Sequence, residues 1–364
     1  MSFDGERARV DRLRGLMRAD RLDAVLVGPS ASFRNLMGRD ANLTERMIAL
    51  LITADRAELI VPRLQAPLYE SHPVDLVIWD EAEDPTARLA DRLRALGVRR
   101  LGVNAEFWSG FLLRLAGHAP EVTLSPARPL ERMRAVKTAE EVAGLKAAAQ
   151  AIDRVWAGFL AEFPVFSGRT ELELREAIGR RMRDEGFSTV AWVDAGAGAN
   201  GASSLHHGSD YVIRPGDPIV FDFAGLYRGW NGDIARVACA GTPATDFLAA
   251  YDLLLSAQEA AFQAIRAGSP ASEPDRVARD ILTRAGFGAY FTHRVGHGIG
   301  LDVHEEPYLV EGNALTLEPG MVMSDEPGIY LPGRWGMRVE DIVVLTDAGP
   351  RRLTQSPRGL VIHS

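Results

Sequence analysis

Ile219-Val220-Phe221-Asp222-Phe223-Ala224 and Gly232-Asp233-Ile234-Ala235-Arg236-Val237 are two apolar runs of strand character, each interrupted by one aspartate. Joined as a hairpin whose turn is centred on Tyr227 and Arg228, they would set Asp222 directly opposite Asp233. Facing Cβ atoms in such a pair lie about 4.5 to 5.5 Å apart, and like charges so placed are destabilising. A cation between them is the economical explanation.

The pattern recurs near the C-terminus. Met321 to Glu326 runs into Pro327-Gly328, Gly336 to Val344 returns, and a turn around Gly333 would bring Glu326 near Glu340. Each acid alone reads equally well as a strand-end residue that keeps its charge in water. Four of them on two hairpins, beside a histidine, point instead to a shared ligand. Five of the eight histidines fall between positions 206 and 304. In Val295-Gly296-His297-Gly298-Ile299-Gly300 the glycines leave little side chain around His297, so backbone and ligand can approach closely; a histidine in a polar loop is the plainer alternative. Asp222, Asp233, Glu326 and Glu340 with one neutral imidazole carry a charge that two divalent cations would cancel and one would not. Oxygen-rich ligation with a single imidazole suits Mn²⁺, Co²⁺ or Fe²⁺, with Zn²⁺ still open.

Working outward, the 364 residues predict two domains. Hydrophobic content of 46% with 25% charged residues is that of a folded chain. A net charge of -8 with no basic block argues against nucleic acid as a partner and favours small molecules or peptides. Cys239 is the only cysteine, which excludes an intrachain disulfide and a thiolate metal site and fits a cytoplasmic location. The N-terminus lacks the apolar run of a signal peptide, and the longest apolar stretch, Met47 to Ile52, is far short of the roughly 20 residues that span a bilayer.

Residues 1–128 alternate helical patterns (Arg7 to Ala19, Thr86 to Leu96) with strand patterns (Ala24 to Gly28, Met47 to Thr53, Glu58 to Val61, Val74 to Trp79, Arg100 to Asn104), which predicts a small α/β domain without a cluster of catalytic residue types. Two prolines in Ser125-Pro126-Ala127-Arg128-Pro129 predict a linker. Residues 129–364 then read as an α+β domain with a mainly antiparallel sheet. Capping boxes at Thr138/Glu141 and Thr170/Glu173 open two of its helices, and two more are expected around Phe247 to Ala267 and Pro274 to Ala285.

Other catalytic patterns fail. His304-Glu305-Glu306-Pro307-Tyr308 starts like a zinc-binding H-E-x-x-H helix, but position 308 is Tyr and Pro307 would break the helix. There is no G-x-S-x-G elbow and no P-loop, and Cys239 reads as an inert core thiol.

Phe221-Asp222-Phe223, Asn231 to Arg236, Gly296 to Glu305, Glu326-Pro327-Gly328-Ile329-Tyr330 and Arg338-Val339-Glu340-Asp341 together resemble the pita-bread metallopeptidases, the group of methionine aminopeptidase, aminopeptidase P and prolidase. The resemblance covers the chain from about residue 135 to its end. It implies that Asp222 and Asp233 chelate one ion, that His297 binds the other, and that Glu326 and Glu340 contribute to both. It also implies three pocket histidines, His207, His293 and His304, of which His207 and His304 act on the reacting carbonyl and Glu326 shuttles a proton. Many relatives have Pro where this chain has His206, which receives a surface or supporting role. Arg338 either pairs with a substrate carboxylate or supports Glu340. A domain before the catalytic one is expected of prolidases, aminopeptidases P and creatinases, often as dimers, and creatinase lacks the metal set. The implied activity is therefore hydrolysis of the bond preceding proline, as an Xaa-Pro dipeptidase; the alternatives are an aminopeptidase P acting on longer peptides and, further off, a metal-free creatinase-like hydrolase or binding module.

Overall fold

The computed structural model describes residues 3–363, in two compact units, residues 3–134 and 135–363. The first comprises α1 (Phe3–Ala19), β1 (Ala24–Val27), α2 (Ala31–Met37), β2 (Ala49–Thr53), β3 (Ala57–Pro62), β4 (Asp75–Trp79), α3 (Pro85–Ala95), β5 (Arg100–Val103), α4 (Ser109–His118), β6 (Thr123–Pro126) and α5 (Arg128–Ala135). Its strands form one mixed sheet in the order β4-β3-β2-β1-β5-β6, with β1, β5 and β6 parallel and β2 antiparallel to its neighbours. β1 and β2 are buried throughout, so both read as continuous apolar runs rather than alternating ones. The two prolines expected to mark a linker lie elsewhere: Pro126 ends strand β6 and Pro129 falls in the first turn of α5. Both positions tolerate a missing N–H, and the division between the units falls at the last residue of α5, between Arg134 and Ala135.

The second unit opens with α6 (Ala139–Glu162) and α7 (Glu171–Glu185), each started by the capping box read from its sequence. β7 (Phe187–Ala197), β8 (Pro218–Tyr227) and β9 (Trp230–Ala240) follow, then α8 (Thr245–Ala264) and α9 (Glu273–Arg284). The remainder is β10 (Gly296–Gly298), β11 (Glu305–Leu309), β12 (Val322–Asp325), β13 (Gly328–Leu331), β14 (Trp335–Arg338), β15 (Asp341–Thr346), β16 (Gly349–Arg352) and β17 (Val361–His363). Two sheets result, ordered β17-β9-β8-β7 and β11-β10-β12-β15-β16, with β13 and β14 as a separate ribbon. All pairings are antiparallel except that of β17 with β9.

Alternation along β8 decides what faces what. Ile219, Phe221 and Phe223 pack with Trp156 and Phe159 of α6 and with Phe166, so the intervening Asp222 must point to the other side of the sheet. On β9 the same logic puts Ile234 in that core and turns Asp233 and Ala235 away. The hairpin register differs from the one expected. Tyr227 pairs with Trp230 around a two-residue turn, Arg228-Gly229, so Asp222 lies opposite Ala235 and Asp233 opposite Ala224. Both turn residues have positive φ, 51° and 88°, which is the type I′ geometry that matches the twist of the flanking strands. The aspartates are thus diagonal neighbours on one face.

The second hairpin has the expected register. Asp325 pairs with Asp341 and Gly328 with Arg338, so the ladders on either side frame Glu326 and Glu340 as partners. Between the ladders the backbone turns outward: the Glu326 N–H donates to Val295 O (2.7 Å) and the Glu340 N–H to Ala235 O (3.0 Å). The first bond ties the hairpin to the residue preceding β10, the second to β9. β10 is squeezed between β11 and β12. A Cβ on Gly298 would lie 2.2 Å from Glu306 O, a backbone atom that cannot swing aside. Gly298→Ala is therefore expected to destabilise the protein by about 2 kcal/mol or more, the usual cost of overpacking a tight site, measured as a fall in denaturant midpoint relative to the parent.

Candidate active site

Asp222, Asp233, His297, Glu326 and Glu340 line one cavity of ≈ 530 Å³, together with His207, His293, His304 and Arg338. Every residue singled out for chemistry in the sequence is therefore on its wall except His206. Ligand atoms of Asp233, His297 and Glu340 lie within 4.8 Å of one another, and all three residues are buried. His297 Nε2 is 3.1 Å from Glu326 Oε1 and 3.9 Å from Asp233 Oδ2.

Local structure pre-sets these groups. His297 Nδ1 lies 3.0 Å from Gly298 O, so it carries the proton and leaves the Nε2 lone pair facing the carboxylates. Ser324 Oγ accepts from the His297 N–H (2.9 Å) and donates to Glu326 Oε1 (3.1 Å), linking β10 to β12. Trp192 Nε1–H donates to Asp222 Oδ1 at 2.8 Å. Arg338 pairs closely with Asp222 and approaches Glu326 Oε2 at 3.6 Å. The structure thus directs this guanidinium toward Asp222 and Glu326.

The electrostatics are those of a crowded anionic pocket. Burial, and then the charge of Asp222, pushes Asp233 well above the usual carboxylate range. Burial and then Asp233 do the same to Glu340. Glu326 goes the other way: burial opposes ionisation, but the neighbouring His297 ring, 3.1 Å away, and the charge of Arg338 hold its carboxyl well below the ordinary value. Asp233 Oδ1 and Glu340 Oε1 are buried without a hydrogen-bond partner. Unpartnered buried carboxylate oxygens are costly, and two of them beside an open imidazole nitrogen fit a divalent cation.

The histidines are oriented by neighbours that lie far from them along the chain. Asp194, opposite Asp222 on β7, binds His207 Nδ1 at 2.6 Å. His293 is held between Arg294 O (2.7 Å, at Nδ1) and the Tyr330 hydroxyl (3.1 Å, at Nε2), and burial, then the charge of Arg338, lowers it to about 4. His304 packs edge-on against His297 with ring centroids 4.1 Å apart; burial, then the neighbouring His297, lowers it to about 4. His206 turns away from the cavity and bonds Glu171 (2.7 Å), whose buried carboxylate also accepts from Ala197 N, Asn200 Nδ2 and both the backbone and hydroxyl of Ser209. Glu171 thereby anchors the loop that carries His207. The His304 segment is no helix: it leads into β11, and Glu306–Pro307 is cis. Cys239 is buried, with Sγ 3.6 Å from Gly216 O, and burial raises its thiol to about 11.

A fold of two sheets closing on a carboxylate and histidine pocket defines a class. The chain matches the model of metallopeptidase family M24 over residues 143–347 and that of the creatinase/prolidase N-terminal domain over residues 9–136. It belongs to metallopeptidase family M24, with the pita-bread catalytic domain expected from its motifs, and membership implies divalent metal ions. It is similar to the probable dipeptidase PepE of Mycobacterium tuberculosis, 40% identical over 94% of this chain and 92% of that one. Among solved structures it is similar to dipeptidase PepE from Mycobacterium ulcerans (TM-score 0.94, 37% identity, covering 100% of this chain and 99% of that one). It is likewise similar to the prolidase from Thermococcus sibiricus (TM-score 0.91, 32% identity, covering 100% and 99%).

The carboxylates give stability a metal-dependent response to pH. Asp233 and Glu340 have raised values when folded, so between about 4 and those raised values the folded chain holds protons that the unfolded chain has lost, and stability falls as pH rises. Glu326, lowered, adds stability that is lost only on going below its unfolded value. His293 and His304, lowered to about 4 from 6.5, add stability as pH rises through that interval. The gap in melting temperature between manganese-loaded and chelator-treated protein should therefore widen from about pH 5 to about pH 8. A gap independent of pH would contradict the buried-anion account.

Proposed function

We propose that this chain is an Xaa-Pro dipeptidase, which hydrolyses the peptide bond preceding proline with two divalent metal ions held by Asp222, Asp233, His297, Glu326 and Glu340. The observation that carries the reading is the convergence of these five side chains and three histidines on one cavity. The names of its relatives support the substrate class, dipeptidase in one lineage and prolidase in the other. Mn²⁺ or Co²⁺ suits the oxygen-rich set, with Zn²⁺ or Fe²⁺ as substitutes. The reading includes a cytoplasmic homodimer acting on small peptides: the buried lone cysteine suits a reducing compartment, and the dimer rests on family resemblance alone.

The bond preceding proline has no N–H, and the ring fixes φ, so a protease that grips the chain through that N–H is poorly suited to it. A site that works on the carbonyl avoids the problem. When bound, the ions supply Lewis acidity toward that carbonyl and a lowered pKa for water. Glu326, ionised at neutral pH, is placed to take the proton of the attacking water and pass it to the departing proline nitrogen. His207 and His304 would donate to the oxyanion that develops on the carbonyl, His207 from Nε2 as the imidazolium because its Nδ1–H is engaged by Asp194. His293 lines the substrate pocket beside Tyr330. Arg338 restrains Asp222 and Glu326 by charge.

Asp233→Ala and Glu340→Ala are each expected to abolish metal-dependent hydrolysis of Ala-Pro; turnover at the parental rate by either would refute the ligand assignment. His304→Ala should lower kcat on the order of 100-fold with little change in KM, the typical loss of one oxyanion donor. Comparing Ala-Pro with Ala-Pro-Ala-Ala tests the dipeptidase reading, since an aminopeptidase P would favour the longer peptide.

A further inference from the structure

Two guanidinium groups line the cavity, and only one is engaged. Arg338 is the deeper of the two, paired closely with Asp222 and 3.6 Å from Glu326. Arg294, between His293 and β10, is half-buried and lies with Cζ 4.5 Å from the centroid of the Tyr308 ring. Among the described residues its guanidinium forms no hydrogen bond and no ion pair. Stacking holds the plane of a guanidinium while leaving its N–H edge free.

A free dipeptide brings two opposite charges into this cavity. Its ammonium is attracted by the carboxylate cluster. Its carboxylate is repelled there and requires a cation at the other end of a short molecule. With Arg338 committed to two of those carboxylates, we infer that Arg294 is the specificity residue that receives the C-terminal carboxylate of the substrate, through a charge-assisted, forked contact, and so measures the peptide at two residues. In a longer peptide the proline carbonyl at that position is an amide and carries no charge to be received. The assignment rests on the peptidase reading given above, and it makes Arg294 the feature that separates a dipeptidase from an aminopeptidase on the same scaffold. A side-chain carboxylate at the residue before proline has the same chemistry, and the experiment separates the two sources.

Steady-state kinetics of the metal-loaded parent and of Arg294→Met, which keeps the stem without the charge, would be compared on Ala-Pro, Ala-Pro-amide and Glu-Pro-amide. The parent should prefer the free acid to the amide. Arg294→Met should lower kcat/KM on Ala-Pro by about 10- to 100-fold, mainly through KM, as expected for one hydrogen-bonded charge pair, and the preference for acid over amide should collapse. Arg294→Lys should retain part of it, which a general packing defect would not allow. The inference is overturned if the parent shows no preference for the acid, if the preference survives in Arg294→Met, or if the variant loses only its activity on Glu-Pro-amide. A parent that cleaves Ala-Ala better than Ala-Pro would refute proline specificity alone, because the comparison of acid with amide can be made on Ala-Ala. A parent inactive on every peptide would refute the peptidase reading and this one together.

Discussion

Four buried carboxylates and a buried imidazole share one pocket, and the mutual repulsion of those anions is the constraint around which the catalytic domain is organised. Bringing such charges together in a low-dielectric interior costs several kcal/mol per uncompensated ion. The protein meets part of that cost with its own groups: Arg338 faces Asp222 and Glu326, Trp192 donates to Asp222, and Ser324 donates to Glu326. Asp233 and Glu340 are left with an oxygen each that no partner satisfies among the described residues. The compensation is thus uneven, and the uncompensated pair sits with the open nitrogen of His297.

The scaffold can hold this arrangement because the anions come from strands whose other faces are committed elsewhere. Phe221 and Phe223 lock β8 against α6, which leaves Asp222 only one direction to point. Arg236 acts similarly from β9: its buried guanidinium bonds the Glu340 carbonyl, Asp341 and the carbonyls of Ser356 and Pro357, fixing the strand that presents Glu340. Gln258 on α8 adds bonds to Asp325 O and Val339 O on both arms of the hairpin. The fold therefore supplies geometric rigidity where the local electrostatics are unfavourable.

Much of this was legible in the residues, and the parts that were not have physical reasons. The single aspartate interrupting each apolar run of β8 and β9 announced a shared carboxylate site, and the capping boxes at Thr138 and Thr170 located two helices. Register was harder. A turn centred on Tyr227 and Arg228 and one centred on Arg228 and Gly229 both use plausible residues, and only the positive φ of Arg228 and Gly229 in the type I′ turn selects the second. The shift of two left both aspartates on the same face, so the conclusion about a shared site survived a wrong pairing. The partners of the histidines were invisible because they depend on contacts between distant segments: Asp194 meets His207, Glu171 meets His206, and Tyr330 meets His293. The Pro126 and Pro129 pair misled because proline is equally at home ending a strand and starting a helix.

The two ladders that flank Glu326 and Glu340 share one register, with the interruption at Pro327 lying between them. Distance between those carboxylates is consequently defined twice, once from the sheet side by Asp325 and Asp341 and once from the ribbon side by Gly328 and Arg338. Drift in the exposed tip at residues 332–334 can erode only the second of these rulers. Movement or substitution in that segment therefore leaves the spacing of the acids it connects under the guardianship of the sheet.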